Sequence, residues 1–102
     1  MKPKIIYLPV AVKDLHQIID YIASDKLSAV QKFLQNIDQT LKKLSSFPNL
    51  GLIPKDAYLK SKGYKILIID NYLIFYLIKK DIIEIQRILH GKRKYQFLLL
   101  KI

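Results

Sequence analysis

The sequence contains no cysteine and no tryptophan, and only three glycines and eight acidic residues are found among its 102 residues. Without cysteine there is no disulfide framework, no thiol nucleophile and no zinc–thiolate site. The glycines, Gly51, Gly63 and Gly91, are too widely spaced for a glycine-rich phosphate-binding loop. The histidines, His16 and His90, lie far apart, and no acidic cluster has metal-ligand spacing. We therefore expect no metal site and no cofactor.

Long apolar runs are also missing. The longest one, Tyr72 to Ile78, falls far short of the roughly 18 residues that span a bilayer. The N-terminal segment, Met1 to Pro9, has two lysines before a short apolar run, but a proline and charged residues follow too soon for a signal sequence. We expect a cytoplasmic protein without a membrane partner, and the length predicts a single domain over residues 1–102.

Positive charge is the strongest global signal. The chain has 18 Lys and Arg against eight Asp and Glu, a formal net charge of +10, and most of the excess lies in residues 55–102. Such a field favours a polyanion or an acidic protein partner, although lysines also solubilise an apolar chain. Arg87 and Arg93 are the only arginines, and their planar guanidinium groups form bidentate contacts with phosphate or carboxylate that lysine cannot.

The first third of the chain has the pattern of a strand followed by a helix. Ile5 to Leu8 is predicted to be a short strand closed by Pro9. The apolar residues from Ala11 to Ile22 recur at helical spacing, which predicts an amphipathic helix of about three to four turns. Its polar side is predicted to carry Lys13, Asp14, Gln17 and Asp20.

A second amphipathic helix is predicted to follow. Ser28 is a plausible N-cap, and an apolar stripe runs from Val30 to Leu44 before Pro48 and Gly51 end the pattern. Two consecutive helices with a short link predict a helical hairpin. Residues 50–63 have the composition of a loop.

Three apolar runs then predict a three-stranded antiparallel meander. Tyr64 to Ile69 and Tyr72 to Ile78 are separated by Asp70-Asn71, a two-residue link suited to a tight hairpin, and Ile82 to His90 forms the third strand. The middle run is apolar at both its odd-numbered and its even-numbered positions, which predicts a central strand covered on both faces. In the third run the odd-numbered positions include Ile83, Ile85, Arg87 and Leu89. The even-numbered positions include Glu84, Gln86 and His90.

The predicted fold class is therefore α+β: an N-terminal strand, a helical hairpin, then a three-stranded antiparallel meander with a short basic C-terminal tail. The pattern leaves open whether residues 92–102 form a helix or a further strand. Such an architecture does not by itself indicate a function.

The end of the last strand contains the candidate functional residues. His90 is a candidate proton acceptor, with a structural role at the strand end as the alternative. Tyr95 is a candidate stacking platform for a base or an acid/base phenol, and otherwise it anchors the tail to the core. The residues predicted to bind a target are Arg87, Lys92, Arg93 and Lys94.

Three motifs in this order carry a resemblance to a known family. "DLHQIIDYI" at 14–22, "YLIFYLI" at 72–78 and "IEIQRILHGKRKY" at 83–95 resemble the RelE/ParE superfamily of bacterial toxins, over nearly the whole chain. The resemblance implies the toxin of a type II toxin–antitoxin pair, held inactive by a cognate acidic antitoxin. Exposed apolar and basic surfaces suit an acidic, partly disordered partner that folds on binding.

One branch of this superfamily, the RelE-like toxins, would imply a ribosome-dependent, metal-independent mRNA endoribonuclease that stabilises the strained phosphate with basic residues. The candidate catalytic residues in that case are Lys65, His90, Arg93 and Tyr95. However, Leu67 and Leu73 stand where this branch has a lysine and an arginine.

The other branch, the ParE-like toxins, would imply inhibition of DNA gyrase without chemistry on nucleic acid. "YLIFY" and "RILHG" are closer to that branch, although Lys94 replaces an aspartate that commonly follows the arginine. We favour the ParE-like interpretation. Two alternatives outside the superfamily are a non-enzymatic nucleic-acid-binding module and an interaction domain whose basic face binds an acidic protein.

Overall fold

The computed structural model describes residues 2–91. In chain order its elements are β1 (Lys4–Tyr7), α1 (Pro9–Asp25), α2 (Leu27–Ser46), α3 (Ala57–Ser61), β2 (Lys65–Ile69), β3 (Tyr72–Lys79) and β4 (Ile82–His90). This order confirms the predicted α+β fold with its N-terminal strand, helical hairpin and antiparallel meander. The short helix α3 lies in a segment that we predicted to be a loop. Its first turn is capped by Asp56, whose Oδ1 accepts a hydrogen bond from the Leu59 N–H at 3.0 Å.

The four strands form one sheet in the order β1-β4-β3-β2. The meander accounts for the antiparallel pairs, and β1 joins the sheet by pairing in parallel with β4, from Lys4 opposite Ile82 to Tyr7 opposite Ile85. The strand that comes last in the described part of the chain is therefore central, and β1 and β2 are the edges.

Both links of the meander are tight. Asp70-Asn71 joins β2 to β3 as predicted, and β3 continues to Lys79, so that only Lys80-Asp81 precedes β4. Asp70 and Lys80 each have a φ of 53°, in the left-handed region. Aspartate is one of the residues that tolerate this conformation, whereas lysine adopts it less readily.

The helical hairpin turns within a single residue. Lys26 is extended, with φ −152° and ψ 110°, and its N–H donates to the Ile22 carbonyl oxygen at 2.9 Å. Because α2 already begins at Leu27, the prediction of Ser28 as its N-cap was wrong; Lys26 occupies the cap position, without a side-chain cap bond. No other residue separates the two helices, so they fold back on each other directly.

The sheet has an apolar core on each face. The helix-side core contains Ile18, Phe33, Ile37, Leu44, Leu67, Ile69, Tyr72, Ile74, Tyr76, Ile83, Ile85 and Ile88. The opposite core is smaller and contains Leu59, Tyr64, Ile66, Phe75 and Leu89. Strand β3 contributes to both cores, which confirms the prediction of a central run covered on both faces.

A β-bulge interrupts the pairing of β3 with β4. Phe75 lies opposite Arg87 and the next residue, Tyr76, lies opposite Ile85, so Gln86 is an extra residue in β4. An extra residue reverses the alternation of side chains beyond it. Ile85 and Leu89 are both odd-numbered positions of this run, yet beyond the bulge Leu89 packs in the core on the face opposite to Ile85.

Candidate functional site

The side chains of Asp14 and Arg87 form a buried ion pair between α1 and β4. Arg87 Nε donates to Asp14 Oδ2 at 2.7 Å and Nη2 donates to Oδ1 at 2.9 Å. Asp14 Oδ2 also accepts the backbone N–H of Ile88 at 3.1 Å. Since β1 pairs with β4 only as far as Ile85, the carboxylate satisfies a backbone donor that no strand reaches.

This pair corrects the prediction for Asp14 and bears on the one for Arg87. Asp14 was placed on the polar side of the first helix, but it is buried, in line with Ala11 and Ile18 at i, i+3 and i+7 spacing. Arg87 was predicted to contact a target, but only 9% of the residue is exposed and its guanidinium is bonded to Asp14. The bidentate geometry expected of an arginine is present, and it serves to fix the end of β4 against α1.

A groove of about 250 Å³ lies beside this ion pair. Its lining consists of Asp14, Gln17, Ile18, Tyr21, Tyr72, Ile88, Leu89 and His90. The ring of Tyr72 lies edge-to-face with those of Phe33 and His90, with centroids 5.4 Å apart in both cases. Burial raises the pKa of the Tyr72 hydroxyl above its ordinary value of 10.0, and Tyr21 and Asp70 raise it further. The groove therefore combines an aromatic wall with a neutral phenol.

A second, more polar depression of about 570 Å³ adjoins the groove and shares Tyr21 and Tyr72 with it. Asp25, Lys32 and Asp70 also line it. Both depressions lie along the boundary between the helical hairpin and the end of the sheet. The described part of the chain ends beside them, since His90 lines the groove.

That end is Gly91, whose N–H donates to the Asn71 carbonyl oxygen at 2.9 Å. The predicted target-binding or catalytic residues Lys92, Arg93, Lys94 and Tyr95 lie outside the described residues.

The two described members of the candidate catalytic set are not brought together. Lys65 begins β2 opposite Tyr76, whereas His90 ends β4 opposite Tyr72. Tyr72 and Tyr76 are separated by about 13 Å along β3 at ~3.3 Å per residue, and β2 and β4 lie on opposite sides of it. The backbones of Lys65 and His90 are therefore more than about 13 Å apart.

Leu67 and Leu73 hold packing positions. Leu67 is 6% exposed in the helix-side core, and Leu73 is half-buried against the opposite core. A charged side chain at position 67 would have to be buried at considerable cost. Because both positions are leucine, the sheet has no positively charged side chain at either of them.

Within residues 2–91, no cluster of three or more His, Cys, Asp or Glu side chains has an arrangement that could hold a metal ion. Over the same residues, no helix is both long and apolar enough to cross a membrane.

The comparisons with known proteins agree with one another. The family model of the ParE toxin of the type II toxin–antitoxin system parDE matches residues 5–95. Among solved structures, a chain from the chromosomal ParDE system of P. aeruginosa is similar with a TM-score of 0.71 at 21% identity, over 89% of this chain and 98% of that chain. A chain of the RelBE2 toxin–antitoxin complex of Mycobacterium tuberculosis is similar with a TM-score of 0.57 at 22% identity, over 88% and 99%. At these identities the structural likeness shows a shared fold. No curated protein matches the sequence significantly.

Proposed function

The chain belongs to the ParE toxin family of type II toxin–antitoxin systems, within the RelE/ParE superfamily, and from this we propose that it arrests growth by inhibiting DNA gyrase without cleaving nucleic acid. The observation that supports this choice most directly is the separation of Lys65 from His90, which pair with residues four positions apart along β3 and lie on opposite sides of that strand. General acid–base chemistry requires its groups within hydrogen-bond reach of the same reacting atoms.

The positions of Leu67 and Leu73 support the same choice. Both leucines pack against apolar cores, so the meander lacks the lysine and the arginine that the ribonuclease branch would need. Arg87 does not replace them, because its guanidinium is already bonded to Asp14. A toxin that acts only by binding its target needs no set of catalytic basic residues.

The partner that holds the toxin inactive is, in this proposal, an acidic antitoxin. A net charge of +10 on 102 residues steers acidic proteins towards this chain and speeds their association. The family match supports an antitoxin partner, and its acidic character is inferred from the charge of the toxin.

The test combines a cell experiment with a purified reaction. Induced expression should arrest growth, and the purified protein should block supercoiling by gyrase while leaving a gyrase-independent relaxing topoisomerase unaffected. Transcripts mapped after induction should be intact. Harmless expression would contradict the toxin assignment itself, and codon-phased cuts in translated mRNA would replace gyrase by the ribosome as the target.

A further inference from the structure

Two aromatic rings meet almost at a right angle in the groove beside the Asp14–Arg87 pair. The rings of Tyr72 and His90 have centroids 5.4 Å apart, and their planes are inclined by 83°. Tyr21, which is 73% exposed, lines the same groove and adds a third ring. Three aromatic side chains therefore border a space of about 250 Å³, which suits a small molecule.

The rest of the groove is mostly apolar and has few acceptors that are not already bonded. Its apolar lining consists of Ile18, Ile88 and Leu89. Asp14 also lines it, but its carboxylate already accepts two hydrogen bonds from Arg87 and one from the Ile88 N–H. The amide of Gln17 is the other polar side-chain group in the lining. A ligand with several N–H donors would therefore leave some of them unpaired, at a cost in affinity.

Negative charge is concentrated around the groove, although the whole chain has a net charge of +10. Residues 14–25 of α1 carry three aspartates and no lysine or arginine. The adjoining depression is lined by two aspartates, Asp25 and Asp70, together with Lys32. The surroundings of the groove thus have the opposite sign to the protein as a whole.

The distant lysines do not cancel this local charge. Exposed charges more than about 8–10 Å apart are largely screened at physiological ionic strength. Burial raises the pKa of the Tyr72 hydroxyl most, and Tyr21 and Asp70 raise it further, so Asp70 acts electrostatically on a residue of the groove wall. A single positive charge in the groove is attracted by the nearby carboxylates and by the faces of the aromatic rings.

We propose that the groove binds a free small quaternary ammonium compound, a cation that carries alkyl groups in place of N–H donors. The charged head lies against the rings of Tyr21, Tyr72 and His90, and its methyl groups contact Ile18 and Ile88. Aromatic side chains arranged around an alkylated ammonium are a recurrent way to recognise such ions. This site goes beyond the proposed function and does not depend on it.

Other small ligands fit the groove less well. A primary ammonium brings three N–H donors and a guanidinium five, and the carboxylate that lines the groove is already bonded. An anion would meet the aspartates around the groove. A neutral apolar molecule would contact the same side chains but gain nothing from the local negative charge.

The probe for the experiment is choline, compared with its neutral isostere, in which carbon replaces nitrogen. Choline is titrated into the isotope-labelled full-length protein at constant ionic strength. It should shift the amide resonances of Tyr72, Ile88 and His90, with a Kd of about 1–10 mM. The neutral isostere has the same shape without the charge, so it should bind about tenfold more weakly.

Variants of Tyr21 test the aromatic wall without disturbing the core, because this side chain is mostly exposed. Tyr21→Ala should weaken choline binding about threefold or more, whereas Tyr21→Phe keeps the ring and should bind within about twofold of the unmodified protein. Tyr58→Ala is the matched control. It removes a partly exposed tyrosine from α3 and should leave choline binding unchanged.

A pair of aspartate variants tests the local charge. Asp70→Asn keeps a residue that tolerates the left-handed backbone at this turn and should weaken choline binding about twofold or more. Asp81→Asn lies in the other tight turn of the meander and changes the net charge equally, so it should have little effect.

Three outcomes would overturn the proposal. Equal binding of choline and its neutral isostere would show an apolar groove without preference for a cation. Unchanged choline binding in both Tyr21→Ala and Asp70→Asn would place the ligand elsewhere. A trimethyllysine peptide that binds at least about a hundredfold more tightly than choline would assign the groove to a modified protein instead of a free small molecule. None of these results bears on gyrase inhibition, because the titrations contain no gyrase.

Discussion

Asp14 and Arg87, 73 positions apart in the sequence, are joined by two parallel hydrogen bonds of 2.7 and 2.9 Å in the interior of the protein. The pair connects α1 to β4 next to the groove that contains Tyr72 and His90. The relation between helix and sheet at this end depends on a polar contact inside an otherwise apolar core.

Removing one partner of this pair should be strongly destabilising. Asp14→Ala leaves the Arg87 guanidinium buried without a counter-charge and the Ile88 N–H without an acceptor, so we expect a loss of about 3–5 kcal/mol in the free energy of unfolding. Urea unfolding monitored by circular dichroism measures the loss. In a domain whose total stability is about 5–15 kcal/mol, such a change is large.

A double-mutant cycle separates the ion pair from simple packing. Asp14→Leu combined with Arg87→Met replaces both charges by apolar groups and should recover much of the stability that either single change removes. Asp14→Asn retains an acceptor for Ile88 and should cost less than Asp14→Ala. Additive single effects would show that the two side chains act independently.

Gly51 should tolerate no side chain. A Cβ at this position would lie 2.7 Å from both the Tyr76 ring and its hydroxyl oxygen. Tyr76 is fully buried and cannot move aside, so Gly51→Ala should cost about 1–3 kcal/mol and release the exposed loop. Gly91→Ala is the matched control, because its Cβ would meet only ordinary contacts at 3.5 Å and beyond. Equal stabilities of the two variants would contradict the packing argument.

The hydroxyl of Tyr76 should stabilise the protein through two bonds. Tyr76→Phe leaves the Gly51 N–H and the Pro48 carbonyl without this partner, at an expected cost of about 1–3 kcal/mol in thermal or urea unfolding at neutral pH. A variant that exposes a phenylalanine elsewhere, Tyr21→Phe, should be nearly neutral since Tyr21 is 73% exposed.

Alkaline pH should destabilise the fold through its buried tyrosines. Burial raises the pKa values of Tyr7, Tyr64, Tyr72 and Tyr76 above their ordinary value of 10.0; at Tyr76 the Gly51 hydrogen bond partly opposes the rise. The unfolded chain therefore releases protons first, so stability is fully retained below pH 10.0 and decreases as the pH rises through the higher pKa values of the folded state. Urea unfolding repeated across this range should show a smaller decrease for Tyr76→Phe. A stability that rises above pH 10.0 would contradict the burial argument.

Arg93 and Lys65 should differ in their importance for toxicity. If the segment after Gly91 contacts the target, Arg93→Ala should reduce growth arrest more than Lys101→Ala. Arg93→Lys keeps the positive charge but removes the planar guanidinium group, so it shows whether that group is needed in addition to the charge. Lys65→Ala should leave gyrase inhibition intact, because no chemistry depends on it. Loss of toxicity in Lys65→Ala with intact folding would favour the ribonuclease alternative.

The sequence predicted the elements whose signals are local. The apolar stripes of the two helices and the Asp70-Asn71 link were sufficient for the hairpins, since periodicity and turn chemistry act over a few residues. The bulge at Gln86 was not predictable in this way, because it depends on how two strands align. The pairing of β1 with β4 depends on contacts between distant parts of the chain.

The candidate site likewise combines features that have a local sequence signal with features that depend on distant contacts. The burial of Asp14 had a local signal, its spacing with Ala11 and Ile18, which the polar character of aspartate concealed. The partner of that aspartate had none, because the extra residue Gln86 breaks the alternation that relates Arg87 to Ile83 and Ile85 in the sequence. The separation of Lys65 from His90 follows from the register of the whole meander, which local patterns do not determine.

The central place of β4 has a consequence for synthesis of the protein. Both neighbours of this strand, β1 and β3, are made earlier, and they have no common partner until residues 82–90 have left the ribosome. Contacts between such distant segments form slowly and late. A chain that stops before residue 82 therefore lacks the strand that joins β1 to the β2–β3 hairpin, and the four-stranded sheet cannot form.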